Sequence, residues 1–343
     1  MTKKNASRIG TYALIASAIM LLIASCAGTR NRALTLAEVE TWPSKKASAY
    51  SADIGATLAT SVEARMGDAP TVLLDYFRKA DGNPSYASYS PSDSDRSLFS
   101  EYYALLPARF KETMVTHLIG IYFIEGFAGG GLADFAIGDS GEMYAILVLN
   151  PRVLVASLAD WIAYRDASPY SDDGKGIELR SDCAGGEGYK GLVHTLTHEA
   201  AHIYDYFQHA TPFVQPMLAS PSDTPAAKDF TRGIWASYAQ AASAYAIPRL
   251  GEIAPYGLGK RLPLSLALEQ YSALAKTPFS SMYGAGSWAE DFAETAAWTW
   301  LREKLGIAYS VAISRPGAEE IRFTEGEART SMARADALGD ILD

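Results

Sequence analysis

The chain has 343 residues, 48% of them hydrophobic and 20% charged, with a net charge of −9. That length and composition support a sizeable folded core and exclude a disordered polymer. An acidic balance with no basic block to grip phosphates argues against a nucleic-acid partner and against electrostatic attachment to anionic lipid.

Residues 1–25 read as a lipoprotein signal peptide. Lys3, Lys4 and Arg8 form a positive start, an apolar run spans Ile9 to Ala24, and Ile23-Ala24-Ser25-Cys26 resembles the lipobox of bacterial lipoproteins. The apolar run falls short of the about 20 residues of a comfortable membrane span, and a spanning helix has no use for a cysteine there. Cys26 is then the lipid-bearing residue of an exported protein anchored to the cell envelope. Ala27 after it points to the outer membrane if the source has two. With Cys26 acylated, Cys183 has no partner in the chain, so the fold cannot rest on a disulfide. Cys183 reads as a bystander thiol in a flexible loop; the competing reading is a thiolate that reaches a metal and inhibits it.

Residues 26–33 are a polar tether, and residues 34–110 read as a mainly helical N-terminal region. Helical stretches cover Ala56–Ala64 and Thr71–Ala80. Another follows Asp95, where Leu98, Phe99, Tyr102, Leu105 and Leu106 recur at helical spacing until Pro107. Residues 111–343 form the second region. Leu118–Phe127 and Met143–Leu149 are apolar, β-rich runs with a middle strand expected near Phe135, and a short helix is expected over Val153–Tyr164. Asp166–Glu187 reads as a Gly/Ser/Asp loop, followed by a long helix from Tyr189 to Gln208. A helical insertion fills about 210–280, with helices near 228–246 and 264–275. Ser287–Leu305 is a helix that Gly306 stops. A strand at Ala308–Ser314 and a polar helix at about 325–341 complete the chain. Strands beside two long helices give an α+β fold.

The segment His198-Glu199-Ala200-Ala201-His202 matches H-E-x-x-H. Residues four apart share one helix face, so both imidazoles can converge on one zinc ion. Glu199 can lean toward the remaining position and remove a proton from water. A third ligand must come from elsewhere. His194 and Asp205 stand roughly 10–12 Å along the axis from the far histidine of the pair at about 1.5 Å per residue. They read as supporting or helix-surface groups. A metzincin arrangement fits poorly, since Asp205 stands where its glycine belongs and Gln208 where its third histidine belongs. Glu290-Asp291-Phe292-Ala293-Glu294 offers two carboxylates one helical turn apart, Glu290 for the metal and Glu294 for the outer N–H of a ligand histidine.

With these two motifs the chain resembles the gluzincin metallopeptidases, and among them the catalytic domain of anthrax lethal factor, which carries a similar E-F-F-A-E helix. The resemblance covers roughly 110–305 in outline and implies a zincin-like domain. In it a small antiparallel or mixed sheet packs on the H-E-x-x-H helix and on a second, Glu-bearing helix. It also implies a catalytic tyrosine seven residues before the ligand glutamate, a position held here by Tyr283. The 210–280 insertion has no counterpart in that pattern. The expected activity is zinc-dependent hydrolysis of a peptide or protein substrate by a membrane-anchored lipoprotein. A lipid-anchored binding or scaffold protein that retains a metal site is one alternative, and a zinc hydrolase of a non-protein cell-wall bond is another.

Overall fold

The computed structural model describes residues 41–212, 228–327, 334 and 338–343. The signal peptide, Cys26, the tether and most of the expected 325–341 helix lie outside the described residues. Among the described residues no helix is long and apolar enough to cross a membrane.

The helices, in chain order, are α1 (Ile54–Leu58), α2 (Thr71–Ala80), α3 (Asp93–Ala104), α4 (Ala108–His117), α5 (Arg152–Val155), α6 (Leu158–Ala167), α7 (Leu192–Gln208), α8 (Leu266–Leu274), α9 (Trp288–Leu305) and α10 (Gly339–Leu342). The strands are β1 (Met66–Gly67), β2 (Ala87–Tyr89), β3 (Leu118–Glu125), β4 (Gly131–Ile137), β5 (Met143–Leu149), β6 (Tyr170–Ser171), β7 (Glu178–Ala184), β8 (Trp235–Ser237), β9 (Gln240–Ala241), β10 (Leu262–Pro263), β11 (Ala308–Ser314) and β12 (Ile321–Thr324). The fold is mixed α+β, with small sheets among many helices.

The main sheet is centred on β3 and β5, which run parallel. β4 lies antiparallel on the far side of β5 and forms that edge. On the other side of β3, β1 pairs in parallel and β2 antiparallel. Strand period explains why β3 and β5 are near-continuous apolar runs: successive side chains enter different cores. Ala145, Leu147 and Leu149 join the large core shared with α7 and α9, whereas Ile146 and Val148 join a smaller one with Leu73, Leu74 and Phe77 of α2. A second sheet sets β11 between β12 and β7, antiparallel to both.

Two segment expectations fail, and one strand was not foreseen. The stretch 166–187 is not a plain loop, because it contains β6 and β7. Cys183 is therefore a buried strand residue, 3% exposed, and burial pushes its thiol up to about 12. The segment 228–246 is not helical: it holds the β8–β9 pair and a short 3-10 turn at Ser243–Tyr245. Trp235 is drawn into the core and its indole donates to Asp291 at 2.8 Å, so tertiary packing sets the local conformation. Ile321–Thr324, unassigned from the sequence, is an edge strand beside β11.

The N-terminal segment is fastened to β4. Lys45, fully buried, forms an ion pair with Asp134 of β4, and its ammonium lies 4.5 Å from the Phe135 ring centroid. Removing one partner of a buried pair leaves an uncompensated charge. Lys45→Ala should lower the unfolding free energy by about 3–5 kcal/mol, read from denaturant melts; a loss within error would mean that Asp134 finds another partner.

Candidate metal centre

α7 and α9 lie face to face, and small residues permit it. Ala200 and Ala201 of α7, and Ala293, Ala296 and Ala297 of α9, are all fully buried. Ser287 caps α9, its side chain accepting from the Glu290 N–H at 3.3 Å. In a capping box the glutamate three residues on would return that bond. Here the Glu290 side chain goes to the histidines instead.

Three donor atoms meet. Glu290 Oε2 stands 3.1 Å from His198 Nε2 and 3.4 Å from His202 Nε2, and the two Nε2 atoms are 3.1 Å apart. A tetrahedral zinc with bonds of about 2.0–2.1 Å spaces its ligand atoms about 3.3 Å apart, so the triangle has the size of one face of that tetrahedron. All three side chains are buried, and the two ring nitrogens and one carboxylate oxygen lie close enough together to hold a single metal ion. The donor set fits zinc in both chemistry and spacing.

The charges around the donors point the same way. Burial disfavours an imidazolium at His198, but hydrogen bonds to Glu290 and Glu294 and the charge of Glu199 outweigh it and raise its pKa to about 10. Burial works against ionised Glu290 as well, yet the two histidines hold its carboxyl well below the usual range. The pocket is built to hold positive charge.

Behind His198, its Nδ1 lies 3.1 Å from Glu294 Oε1. Glu294 is in turn held by Arg165 Nη1 at 2.9 Å, by the Trp298 indole at 3.0 Å and by His194 Nε2 at 3.1 Å. Arg165 of α6 also donates through Nε to Asp166 at 2.9 Å, and Asp166 accepts from Tyr309 and Ser181, both at 2.7 Å. His194, His198 and Glu294 form a second group of donor atoms close enough to share an ion. The Arg165 guanidinium on Glu294 opposes a cation there, so this group serves as support for His198. His194 sits on Glu294, apart from the three converging donors. Asp205 lies further along α7, where it accepts from Thr211 through both oxygens and fixes the turn after the helix.

Glu199 is buried beside the donors, within electrostatic reach of both histidines and Glu290. Burial raises its pKa. One carboxylate oxygen accepts the Ala133 N–H of β4 at 2.7 Å, so the sheet edge itself holds this side chain. The close approach requires a glycine nearby: a Cβ on Gly131 would meet Glu199 Cγ at 2.9 Å. Asn150 shapes the preceding turn, donating to the carbonyls of Phe127 at 2.6 Å and Gly129 at 3.0 Å.

Tyr283 packs its ring 5.7 Å from that of His198, with the Arg165 guanidinium 5.7 Å from the ring centre. Burial, then the charge of Glu290, pushes its phenol well above the ordinary value, so it remains a proton donor. Arg165, Gly131, Tyr206 and Tyr238 are the neighbours that sequence reasoning missed. Tyr206 donates to the Ala133 carbonyl at 3.0 Å. Burial, then the nearby Glu290 charge, pushes the phenol of Tyr238 from the 210–280 stretch well above its ordinary value, and its backbone carbonyl accepts the Trp288 N–H at 3.0 Å. No motif spacing marks any of the four.

The chain matches no known protein family, no curated protein and no solved structure. What the centre does has to follow from its own geometry.

Glu290→Ala should abolish stoichiometric zinc in metal analysis of the purified chain, and full retention would require a different third ligand. Glu294→Gln should weaken zinc about 10–100-fold in competition with a chromogenic chelator, with the fold intact by circular dichroism.

Proposed function

We propose that the chain is a zinc-dependent peptide hydrolase with a zincin-like catalytic domain of gluzincin type, displayed on the cell envelope through Cys26. One observation carries the reading: the nitrogens of His198 and His202 and an oxygen of Glu290 from a distant helix converge to within 3.1–3.4 Å of one another, with Glu199 beside them.

His198, His202 and Glu290 would hold a zinc ion, which would supply Lewis acidity toward a carbonyl oxygen and lower the pKa of water toward neutrality. The chain's own residues do the rest. Glu199, anchored through one oxygen to Ala133, takes the proton of the attacking water and passes it to the departing amine. Its burial and raised pKa suit a group that must both accept and release a proton. Tyr283 keeps its proton and donates a hydrogen bond to the oxyanion as the carbonyl becomes tetrahedral. Glu294 Oε1 lies 3.1 Å from His198 Nδ1, where it would hold the tautomer that leaves Nε2 free to ligate, and Arg165 keeps Glu294 ionised.

A peptide library incubated with the zinc-loaded chain, with and without chelator, tests the reading. Chelator-sensitive cleavage is expected. Bound zinc with no cleavage would favour a binding protein or a hydrolase of a cell-wall bond. Glu199→Gln should keep zinc and lose about 10²–10⁴-fold in kcat/KM, whereas unchanged turnover would remove it as the base. Tyr283→Phe should slow turnover with KM and zinc content nearly unchanged; kinetics like those of the unmodified chain would take the phenol out of the reaction.

A further inference from the structure

The outer edge of β4 runs past the metal centre. In an antiparallel pair alternate residues bond to the partner strand. The Gly138 N–H donates to the Glu142 carbonyl at 2.8 Å, so the even-numbered residues of β4 face β5. The backbone groups of Gly131, Ala133, Phe135 and Ile137 therefore point away from the sheet. A bare row of that kind is a template on which an extended peptide can add as another strand.

Here the chain has already filled much of the row. The Ala133 N–H donates to Glu199 at 2.7 Å, and its carbonyl accepts from Tyr206 at 3.0 Å. The Phe135 N–H donates to Asp134 at 2.8 Å, and Ile137 forms a parallel bridge with Lys46. The adjoining Lys45 is fully buried in its ion pair with Asp134, and its ammonium lies over Phe135 at 4.5 Å and Tyr76 at 5.0 Å. Trp42 packs on Phe135 from outside. A buried charge pair thus fixes residues 42–46 to the edge. At Ala133, a substrate ladder would have to displace Glu199.

We infer that the centre, on the peptidase reading above, takes short peptides or free chain ends and not extended internal stretches of a protein. A long chain needs ladder bonds at 133–137, and there both groups of Ala133, the Phe135 N–H and Ile137 are held by Glu199, Tyr206, Asp134 and Lys46. A short peptide needs none of them beyond the metal centre. Lys45 and Asp134 act as positioning residues that set this selectivity from outside the donor set.

The test uses the full, zinc-loaded chain with one scissile sequence presented in two forms, a short peptide with free ends and the same sequence inside a long peptide with blocked ends. The short form should be cleaved with kcat/KM at least about tenfold higher. Amide exchange in the unmodified chain should show Ala133, Phe135 and Ile137 protected. Lys45→Met combined with Asp134→Asn removes both charges together and avoids the orphan that a single change leaves. That pair should narrow the gap between the two substrates at unchanged zinc content, with faster exchange at Ile137, while Ala133 stays protected by Glu199 and Tyr206. Equal cleavage of both forms by the unmodified chain would overturn the substrate class, and fast exchange along 133–137 would overturn the closed edge. Cleavage of neither form would remove the peptidase reading, and amide exchange alone would then decide the edge.

Discussion

The close packing of α7 on α9 is the constraint on which the rest of the molecule depends. Side chains from two helices can share one ion only if the backbones approach closely, and the buried alanines at 200, 201, 293 and 296 allow that approach. The same contact buries three acids of α9, which must each find a partner in the dry interior. Glu290 meets His198 and His202, Glu294 meets Arg165, and Asp291 meets Arg334 at 2.6 Å and the Trp235 indole at 2.8 Å. Each partner comes from a different part of the chain. The candidate metal centre and the core are in this sense one object.

The main sheet enters the same object through β4. Ala133 gives its N–H to Glu199 and its carbonyl to Tyr206, so two α7 side chains dock on one residue of the edge strand. The N-terminal segment holds that strand from the other side through Lys45 and Asp134. A shift of β4 would therefore move the proposed base even though the strand offers no side chain to the reaction. Buried ion pairs add little net stability beside an apolar replacement, but they are intolerant of misplacement. That property suits a strand whose register sets the position of the proposed base.

The segment between α7 and α9 supplies walls for the centre. Tyr238 lies near Glu290, and Tyr256 sits between Trp161 and Tyr283, with ring centres 5.8 and 6.0 Å away. Tyr256 has φ of 60°, a conformation costly for a bulky residue, and its N–H donates to Ser168 at 2.6 Å. The strain is carried against Tyr283, whose ring in turn packs on His198.

Much of this was legible in the sequence. The H-E-x-x-H spacing and the helical period of its flanks placed His198 and His202 on one face, because a helix converts a separation of four directly into proximity. The apolar runs announced β3 and β5, and Gly306 marked the end of α9. Glu290 and Glu294 could be nominated, since their spacing is also local. Tertiary structure decided the rest: that Arg165 neutralises Glu294, that Gly131 makes room for Glu199, that Cys183 is locked in a strand, and that Lys45 seals the edge of β4. Those contacts join residues far apart in the chain, and no local period encodes which distant charge will meet which. Only the packed fold, by excluding water, forces each buried charge to its partner.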